Sequence, residues 1–500
     1  MADRSVAVIR GGRLLDAARH RADLADVLID GDTIREIGPP GLPVPAGARE
    51  IDARERLLIP GLVNAHTHGH SSFGKGLGDR WSLELQLNAG PWTGGGRSPE
   101  ELRLSATLNA ADLVRKGSTA AYDLLLEFPV PTVEGLAAVQ QGYADVGVRC
   151  LLAPMMADRL FLQAIPGLLD ALPPALRAEA ERVRAAPYEE SLAALRRLLP
   201  QGRTQRDRFD LALAPTIPLH CSDAFLVACR DLARDHDARL HMHLAESKAQ
   251  AVSGPKVYGG RSLTAHLDTL EFLGPTFTAA HGIWLDDDDI HRLADRGASV
   301  AHNPGSNLRL GNGVAPARAM LAAGLTVGVG TDGSSCSDHQ NMFEAMRLTS
   351  YLSRLHDPEP DTWLGAEQAF RMATEGGAAA LGLQAKLGRL APGFQADVVF
   401  LDLTQLSYVP LNDPLQQVVY CEDGSGVDSV MIAGRMVLER GRLTTLDEAR
   451  LRRDVQAAAE RLLAANAPRR ELAERLAPFV NAHCVGLGRQ PHPVQRWIGG

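Results

Sequence analysis

The sequence predicts an α/β protein, a (β/α)8 TIM barrel with a discontinuous β-sandwich built from N- and C-terminal segments. Three observations predict it. Through the middle of the chain, short apolar strands alternate with helical stretches, the pattern of a parallel barrel. Both ends instead alternate apolar and polar residues around Gly-containing turns, and neither end is long enough to make a good sheet core alone. Finally, most polar residues that interrupt the apolar pattern fall where a barrel strand would end, at the mouth where barrel active sites are built.

Composition bounds the function. The 500 residues are 45% hydrophobic and 22% charged, close to a soluble globular average, which excludes a disordered, collagenous or coiled-coil chain. Lys and Arg number 52 against 60 Asp and Glu, a formal charge of −8. Such a balance offers no basic footprint for nucleic acid or an anionic membrane, so the expected partner is a small molecule. The six cysteines are scattered without a CxxC pair, as expected of reduced, packed thiols in a cytoplasmic protein. The start, MADRSVAVIRGGRLLD, lacks the apolar run of a secretory signal, and no segment approaches the ~20 apolar residues of a membrane span.

Taken in order, SVAVIRGGRLLD, DVLIDGDTIREIG and REIDARERLLIP read as short strands with turns at Gly11-Gly12 and Gly31-Asp32. The same texture returns in residues 388–403 and 427–443. We therefore expect residues 1–59 and 385–445 to form one composite β-sandwich, and residues 60–384 to form the barrel. Eight candidate barrel strands follow one another: LLIPGLVNAHTH, STAAYDL, VRCLLAPMM, LALAPTIP, RLHMHLAE, TFTAAHGI, SVAHNP and TVGVGTDG. Between them, PEELRLSATLNAADLVRKG and DAFLVACRDLARDHD carry apolar residues at helical spacing. Residues from about 157 to 209 read as a helical insertion rich in Ala, Leu and Arg. The tail, 446–500, reads as a helical extension with no recognisable chemistry.

His66 and His68 close the first barrel strand, His243 and then Glu246 close the fifth, His281 the sixth and Asp332 the eighth. Side chains two apart on a strand point to one face, so His66 and His68 can address one ion. Imidazoles plus a carboxylate suit zinc or iron(II). One histidine at a strand end is more often a hydrogen-bonded structural residue. The whole set in barrel order is not explained that way.

These residues lie in PGLVNAHTH (60–68), HLAES (243–247), AAHGIWL (279–285), SVAHNPGSNLRLGNG (299–313), GVGTDGSSCS (328–337) and LGRLAPGFQADVVFLDL (387–403). As a set they resemble the amidohydrolase superfamily, within it the branch of cytosine, guanine, S-adenosylhomocysteine and triazine aminohydrolases. The resemblance implies one divalent metal ion per subunit, zinc or alternatively iron(II), bound by His66, His68, His243 and Asp332. Binuclear members use a carboxylated lysine on strand four, and LALAPTIPLH contains no lysine. The deaminases that bind zinc through P-C-x-x-C are excluded by the lack of CxxC.

The implied reaction is hydrolytic deamination of a nitrogen heterocycle of pyrimidine, purine, pterin or triazine type, with hydroxide formed at the ion attacking the carbon that bears the amine. Glu246, Asp332 and His281 are the expected catalytic residues. Glu246 would move a proton to the ring nitrogen, Asp332 would take the water proton and return it to the amine, and His281 would hydrogen-bond the nucleophile. A Glu opening a helix after a strand commonly just complements the helix dipole, but the H-x-x-E spacing matches the branch. The alternatives are hydrolysis of another bond at the same site (an N-alkylamino or chloro substituent, or a cyclic amide) and, more remotely, a non-catalytic scaffold. Analogy with the branch implies a homo-oligomer.

Substrate contacts match less well. Thr216 and Leu219 in APTIPL stand where the branch has the histidine and aromatic of APHxPY. The candidates to line the pocket are His70, Gln86, Trp92, Tyr122, Thr216, His302 and Asn307, although Trp and Tyr more often pack a core.

Overall fold

In the computed structural model, which describes residues 6–202 and 208–497, the chain opens with β1 (Val6–Asp16), β2 (Arg21–Asp30), β3 (Thr33–Gly38), β4 (Arg49–Asp52) and β5 (Arg56–Pro60). Strand β1 runs antiparallel to β2 and changes its parallel partner from β4 to β5 along its length. The register against β2 shifts between Ile9 and Gly12, and a Cβ at Gly12 would lie 2.6 Å from the Leu58 side chain. The close crossing with β5 thus calls for glycine there.

The barrel strands follow as β6 (Leu62–His68), β7 (Ser118–Leu125), β8 (Arg149–Met156), β9 (Phe209–Leu211), β10 (Ala214–Pro215), β11 (Leu240–Leu244), β12 (Phe277–His281), β13 (Ser299–His302), β14 (Thr326–Val329) and β15 (Asp332–Gly333). All their pairings are parallel: β6 with β7, β7 with β8, β8 with β9 and β10, then β11 through β14 in order, and β15 back onto β6. A parallel bridge between Leu213 and Leu240 joins the two runs. The circle of eight expected strands is therefore present, two of them in pieces, β9 with β10 and β14 with β15. Gly330 sits in the second break, where a Cβ would lie 2.3 Å from Asn303 Oδ1 and 2.8 Å from the His66 carbonyl.

The first candidate strand, LLIPGLVNAHTH, divides in two. Leu57–Pro60 lies in β5, and the barrel strand begins only at Leu62. Gly61 marks the switch, since a Cβ there would lie 2.1 Å from Thr119 Oγ1 while its N–H donates to the Asp397 carbonyl at 3.0 Å.

The chain returns through β16 (Val398–Asp402), β17 (Val427–Ile432), β18 (Arg435–Glu439) and β19 (Arg442–Leu443). The two ends share one sheet of nine strands, in the order β19-β18-β17-β16-β5-β1-β2-β3, with β4 also on β1. It encloses Ile9, Val27, Ile29, Leu58, Phe400 and Met431. Gly434, at the turn after β17, comes against the Gly31 carbonyl at the turn after β2, so the sheet curls over that cluster.

Helices occupy the predicted stretches. Pro99–Arg115 opens on a capping box, with Ser98 and Glu101 each hydrogen-bonding the other's backbone N–H. Asp223–Asp235 is capped by Ser222. The insertion holds the helices Phe161–Ala164, Pro174–Ala180 and Tyr188–Gly202, and the tail holds Glu448–Ala465 and Ala467–Gly488. Asn88 Nδ2, on the helix Leu83–Thr93, donates to the Ala473 carbonyl of the last tail helix at 2.8 Å. No helix among the described residues is long and apolar enough to cross a membrane.

Candidate active site

Strands β6, β11, β12 and β15 bring His66, His68, His243, His281 and Asp332 together at their C-terminal ends, all buried. Single ring nitrogens of His66, His68 and His243 lie within 4.8 Å of one another, as do one ligand atom each of His66, His281 and Asp332. Residues up to 266 positions apart in sequence thus share one spot because parallel strands all end at the same mouth.

The tautomers follow from the surroundings. His68 Nδ1 faces the Leu124 carbonyl at 2.7 Å, and His243 Nδ1 faces the Thr216 carbonyl at 2.9 Å. Each carbonyl can only accept, so each Nδ1 carries the proton and each Nε2 presents a lone pair. Those two lone pairs meet at 3.3 Å, and Asp332 Oδ1 lies 3.2 Å from His68 Nε2. Three acceptors facing one another repel unless a cation or a proton lies among them. His281 Nδ1 meets Asn307 Oδ1 at 2.9 Å. Its Nε2 and that of His66 are buried without a well-formed hydrogen bond among the described residues. This donor set fits a divalent ion.

Electrostatics agree for two of the three imidazoles, while at His68 burial lowers the pKa but the hydrogen bond and charge of Asp332 outweigh it and raise it. Burial lowers the pKa of His66 to about 4 and that of His243 well below its ordinary value. Both imidazoles are thereby held neutral, the form that ligates metals. Asp332 is lowered well below the carboxylate range: burial pushes up, and the hydrogen bonds and charges of His66 and His68 outweigh it. Glu246 goes the other way. Burial, with the nearby charges of Asp332 and Glu84, raises it well above its ordinary value. Two neighbouring carboxyl groups are thus driven to opposite protonation states, a pattern of acid and base roles. Glu246 Oε2 stands 3.6 Å and Asp332 Oδ2 3.7 Å from His281 Nε2, so the imidazole lies between them. His281 and Asp332 also hold φ at +72° and +65°, a region non-glycine residues seldom occupy and one that clusters at functional sites.

The expected contact residues divide. His70 packs its ring 5.3 Å from that of His68 and accepts from the Leu126 N–H through Nδ1. Among the described residues, Gln86 leaves a buried Oε1 without a partner, and His302 a buried Nδ1. Asn307 is engaged with His281, and Thr216 serves His243 through its carbonyl. Tyr122 is fully buried with its ring edge-on to His241 at 4.3 Å, beneath the histidine cluster. Trp92 is not brought there. It packs with Ala89 and Ala473 under the last tail helix, with Arg470 over its ring.

Several residues escaped the sequence reading. His241 Nε2 lies 3.2 Å from His66 Nδ1 and sets that ring's orientation. The signal was present, since H-x-H in HMH repeats the spacing of HTH. Asn312 donates from Nδ2 to Glu246 Oε1 at 3.2 Å, and Glu84 accepts from the hydroxyl of Ser247 at 2.6 Å. Asp123, buried and raised to about 6, accepts from the Gly69 N–H and the Tyr143 hydroxyl and so anchors the chain just after His68. A cavity of about 210 Å³ lined by Arg149, Asp210 and Arg239 lies at the opposite, N-terminal ends of the strands.

The sequence matches the amidohydrolase family over residues 57–437. It is 32% identical to a 5'-deoxyadenosine deaminase of Methanothermobacter thermautotrophicus, over 92% of this chain and 99% of that protein. It is also 32% identical to a 5-methylthioadenosine/S-adenosylhomocysteine deaminase of Thermococcus kodakarensis, over 86% and 93% of the two chains. Among solved structures it resembles a zinc-bound adenosine deaminase of Xanthomonas campestris, with a TM-score of 0.79 and 28% identity over 91% and 98% of the two chains. It likewise resembles the zinc complex of atrazine chlorohydrolase from Arthrobacter aurescens, with a TM-score of 0.80 and 27% identity over 91% and 100%.

Proposed function

Because the chain belongs to the amidohydrolase family, we propose that it is a metal-dependent aminohydrolase that releases ammonia from a nitrogen heterocycle, with an adenine nucleoside as the preferred class. One observation carries this: a cluster of acceptors built for a cation adjoins a buried carboxyl group, Glu246, whose pKa burial raises. His66, His68, His243 and Asp332 would hold one ion, zinc or iron(II), since imidazole nitrogen with one carboxylate suits both. When bound, such an ion lowers the pKa of water and makes a nucleophile available at neutral pH.

The remaining work falls to side chains. His281, held neutral by burial and with its Nδ1 proton given to Asn307, presents Nε2 to accept a hydrogen bond from the attacking water. Asp332, held ionised, takes one proton of that water. Glu246 gives its proton to the ring nitrogen beside the attacked carbon, which removes the ring's conjugation as the carbon–oxygen bond forms. Asp332 then passes its proton to the exocyclic amine, the carbon–nitrogen bond breaks, and ammonia leaves. The second water proton restores Glu246 as the carbonyl forms. In adenine the amine carbon adjoins a ring nitrogen, the arrangement this sequence needs, and the names of the relatives favour that base.

A second reading is hydrolysis of an N-alkylamino or chloro substituent, or of a cyclic amide, in the same pocket, and the likeness to atrazine chlorohydrolase supports the chloro substituent. Zinc-loaded protein should release ammonia from 5'-deoxyadenosine or methylthioadenosine when tested beside cytosine, guanine and aminotriazines. Chloride or alkylamine release without ammonia would favour the second reading. We further take residues 60–384 as the barrel, 1–59 and 385–445 as the sandwich and 446–500 as an extension. The six cysteines, none joined to another, support a cytoplasmic setting, the names of the relatives support a small-molecule substrate, and a homo-oligomer is part of the proposal.

A further inference from the structure

Residues 491–497 follow the last tail helix, with His492, Val494 and Arg496 partly buried and the residues between them exposed. They lie across two loops at the barrel mouth. The Arg496 guanidinium donates to the carbonyls of Ile283 at 3.0 Å and Leu285 at 2.8 Å, just past His281. Its own carbonyl accepts from the Val314 N–H at 2.9 Å. Trp497 donates from Nε1 to the Gly311 carbonyl at 2.9 Å and sets its ring edge-on to Trp284 at 5.1 Å. Trp284 donates from Nε1 to the Asn312 carbonyl at 2.8 Å. His492 meets the same ring at 5.6 Å, and Lys248 Nζ lies over both indoles.

Three of these bonds, from Val314 to the Arg496 carbonyl, from Trp497 to Gly311 and from Trp284 to Asn312, fall on residues 311–314, the turn that carries Asn312, while the Arg496 guanidinium holds the neighbouring loop at Ile283 and Leu285. That turn is shaped to receive the strap. Gly313 has φ of +118°, and a Cβ there would lie 2.9 Å from the Arg496 carbonyl. A side chain at 313 would therefore prop the strap away. Asn312 reaches from the turn to Glu246 Oε1, which joins the end of the chain to the catalytic acid.

We propose that the segment 491–497 is a positioning strap: it clamps the turn 311–314 so that Asn312 holds the carboxyl group of Glu246 in its reactive orientation. The inference rests on Glu246 acting as the acid of the proposed deamination. Arg496 and Trp497 touch no reacting atom, and they act through Asn312. A misplacement of the acid by a fraction of an ångström slows the chemical step while leaving substrate binding intact.

The test compares Arg496→Ala, Trp497→Ala, Trp497→Phe, Asn312→Ala and the double variant Arg496→Ala/Asn312→Ala as full-length, zinc-loaded proteins. Arg496→Ala and Trp497→Ala should each lower kcat about tenfold with KM within about twofold, metal content unchanged and faster amide exchange at 311–314. Trp497→Phe, which retains the ring on Trp284 but loses the bond to Gly311, should recover only part of the loss. In the double variant, Arg496→Ala should add less than about twofold to the loss from Asn312→Ala, because both act through one contact. Wild-type kcat in both alanine variants, or multiplied losses in the double variant, would overturn the strap. If no protein in the set, wild type included, released ammonia, the deaminase reading would fail separately. Amide exchange would then decide, and unchanged protection at 311–314 in Arg496→Ala would reject the clamp.

Discussion

Glu246 has the most legible energetics of any residue in the molecule. Its carboxyl group is buried beside an ionised Asp332, and both influences raise its pKa. The protonated form therefore persists to a higher pH than an ordinary glutamate would allow, and the rate should fall on the alkaline side as that proton is lost. Glu246→Gln retains the shape and the contact with Asn312 but has no proton to transfer. Turnover should drop by at least about a hundredfold, a typical acid–base contribution, while the metal stays bound. Equal turnover in parallel kinetics and elemental analysis would remove Glu246 from the mechanism. His66, His68, His243, His281 and Asp332 were readable because each ends an apolar strand. His241 was harder to see because its partner is another histidine across the barrel, 175 positions away.

At the scale of the element, the bottom of the barrel is closed by a helix that runs unusually close to the strands. Met372–Gly376 forms a π-helical turn that leads into the helix Gly377–Ala380. A Cβ on Gly377 would lie 2.2 Å from the Val63 carbonyl of β6, and one on Gly376 equally close to the Val327 carbonyl of β14. These contacts are with backbone, which cannot turn aside. Gly377→Ala should therefore cost about 1–3 kcal/mol through overpacking. The opposite sign would hold at an open helical site, where alanine is favoured over glycine by about 1 kcal/mol. Urea unfolding decides between them, and a gain in stability would show that the packing gives way. The helices themselves were legible through periodicity, Pro99–Arg115 being one case. The broken strands were not: Ala214–Pro215 is too short to show a period, and the gap at Gly330 falls where Asn303 and His66 approach it from distant parts of the chain.

For the whole molecule, the barrel and the two-ended sheet are joined by a buried ion pair. Arg149, at the start of β8, meets both oxygens of Asp397 at 3.1 Å and donates to Gln395 Oε1 at 2.8 Å. Asp397 also accepts from the Ala433 N–H at 2.8 Å. Arg149→Ala would leave that carboxylate buried without its cation, at a cost of about 3–5 kcal/mol. The loss should appear in denaturant unfolding with metal content preserved, because the pair lies at the strand ends opposite the histidines. Stability within about 1 kcal/mol of wild type would mean that the join is carried by packing alone.

By itself the sequence determined the fold class, the order of eight strands and the residues that end them. These features are written locally, in period, turn chemistry and the polar residues that interrupt apolar runs. It also implied that both ends would share a sheet, since neither could bury its own apolar face. Only the tertiary structure decided what depends on distant chain segments meeting. It placed Trp92 under the tail instead of at the cluster, gave Asn307 to His281, and turned a tail without visible chemistry into a contact with the loop behind Glu246. The physical reason is one of range. Burial and periodicity act on neighbours in sequence, whereas a hydrogen bond between Trp497 and Gly311 becomes visible only once 186 residues of chain have folded back.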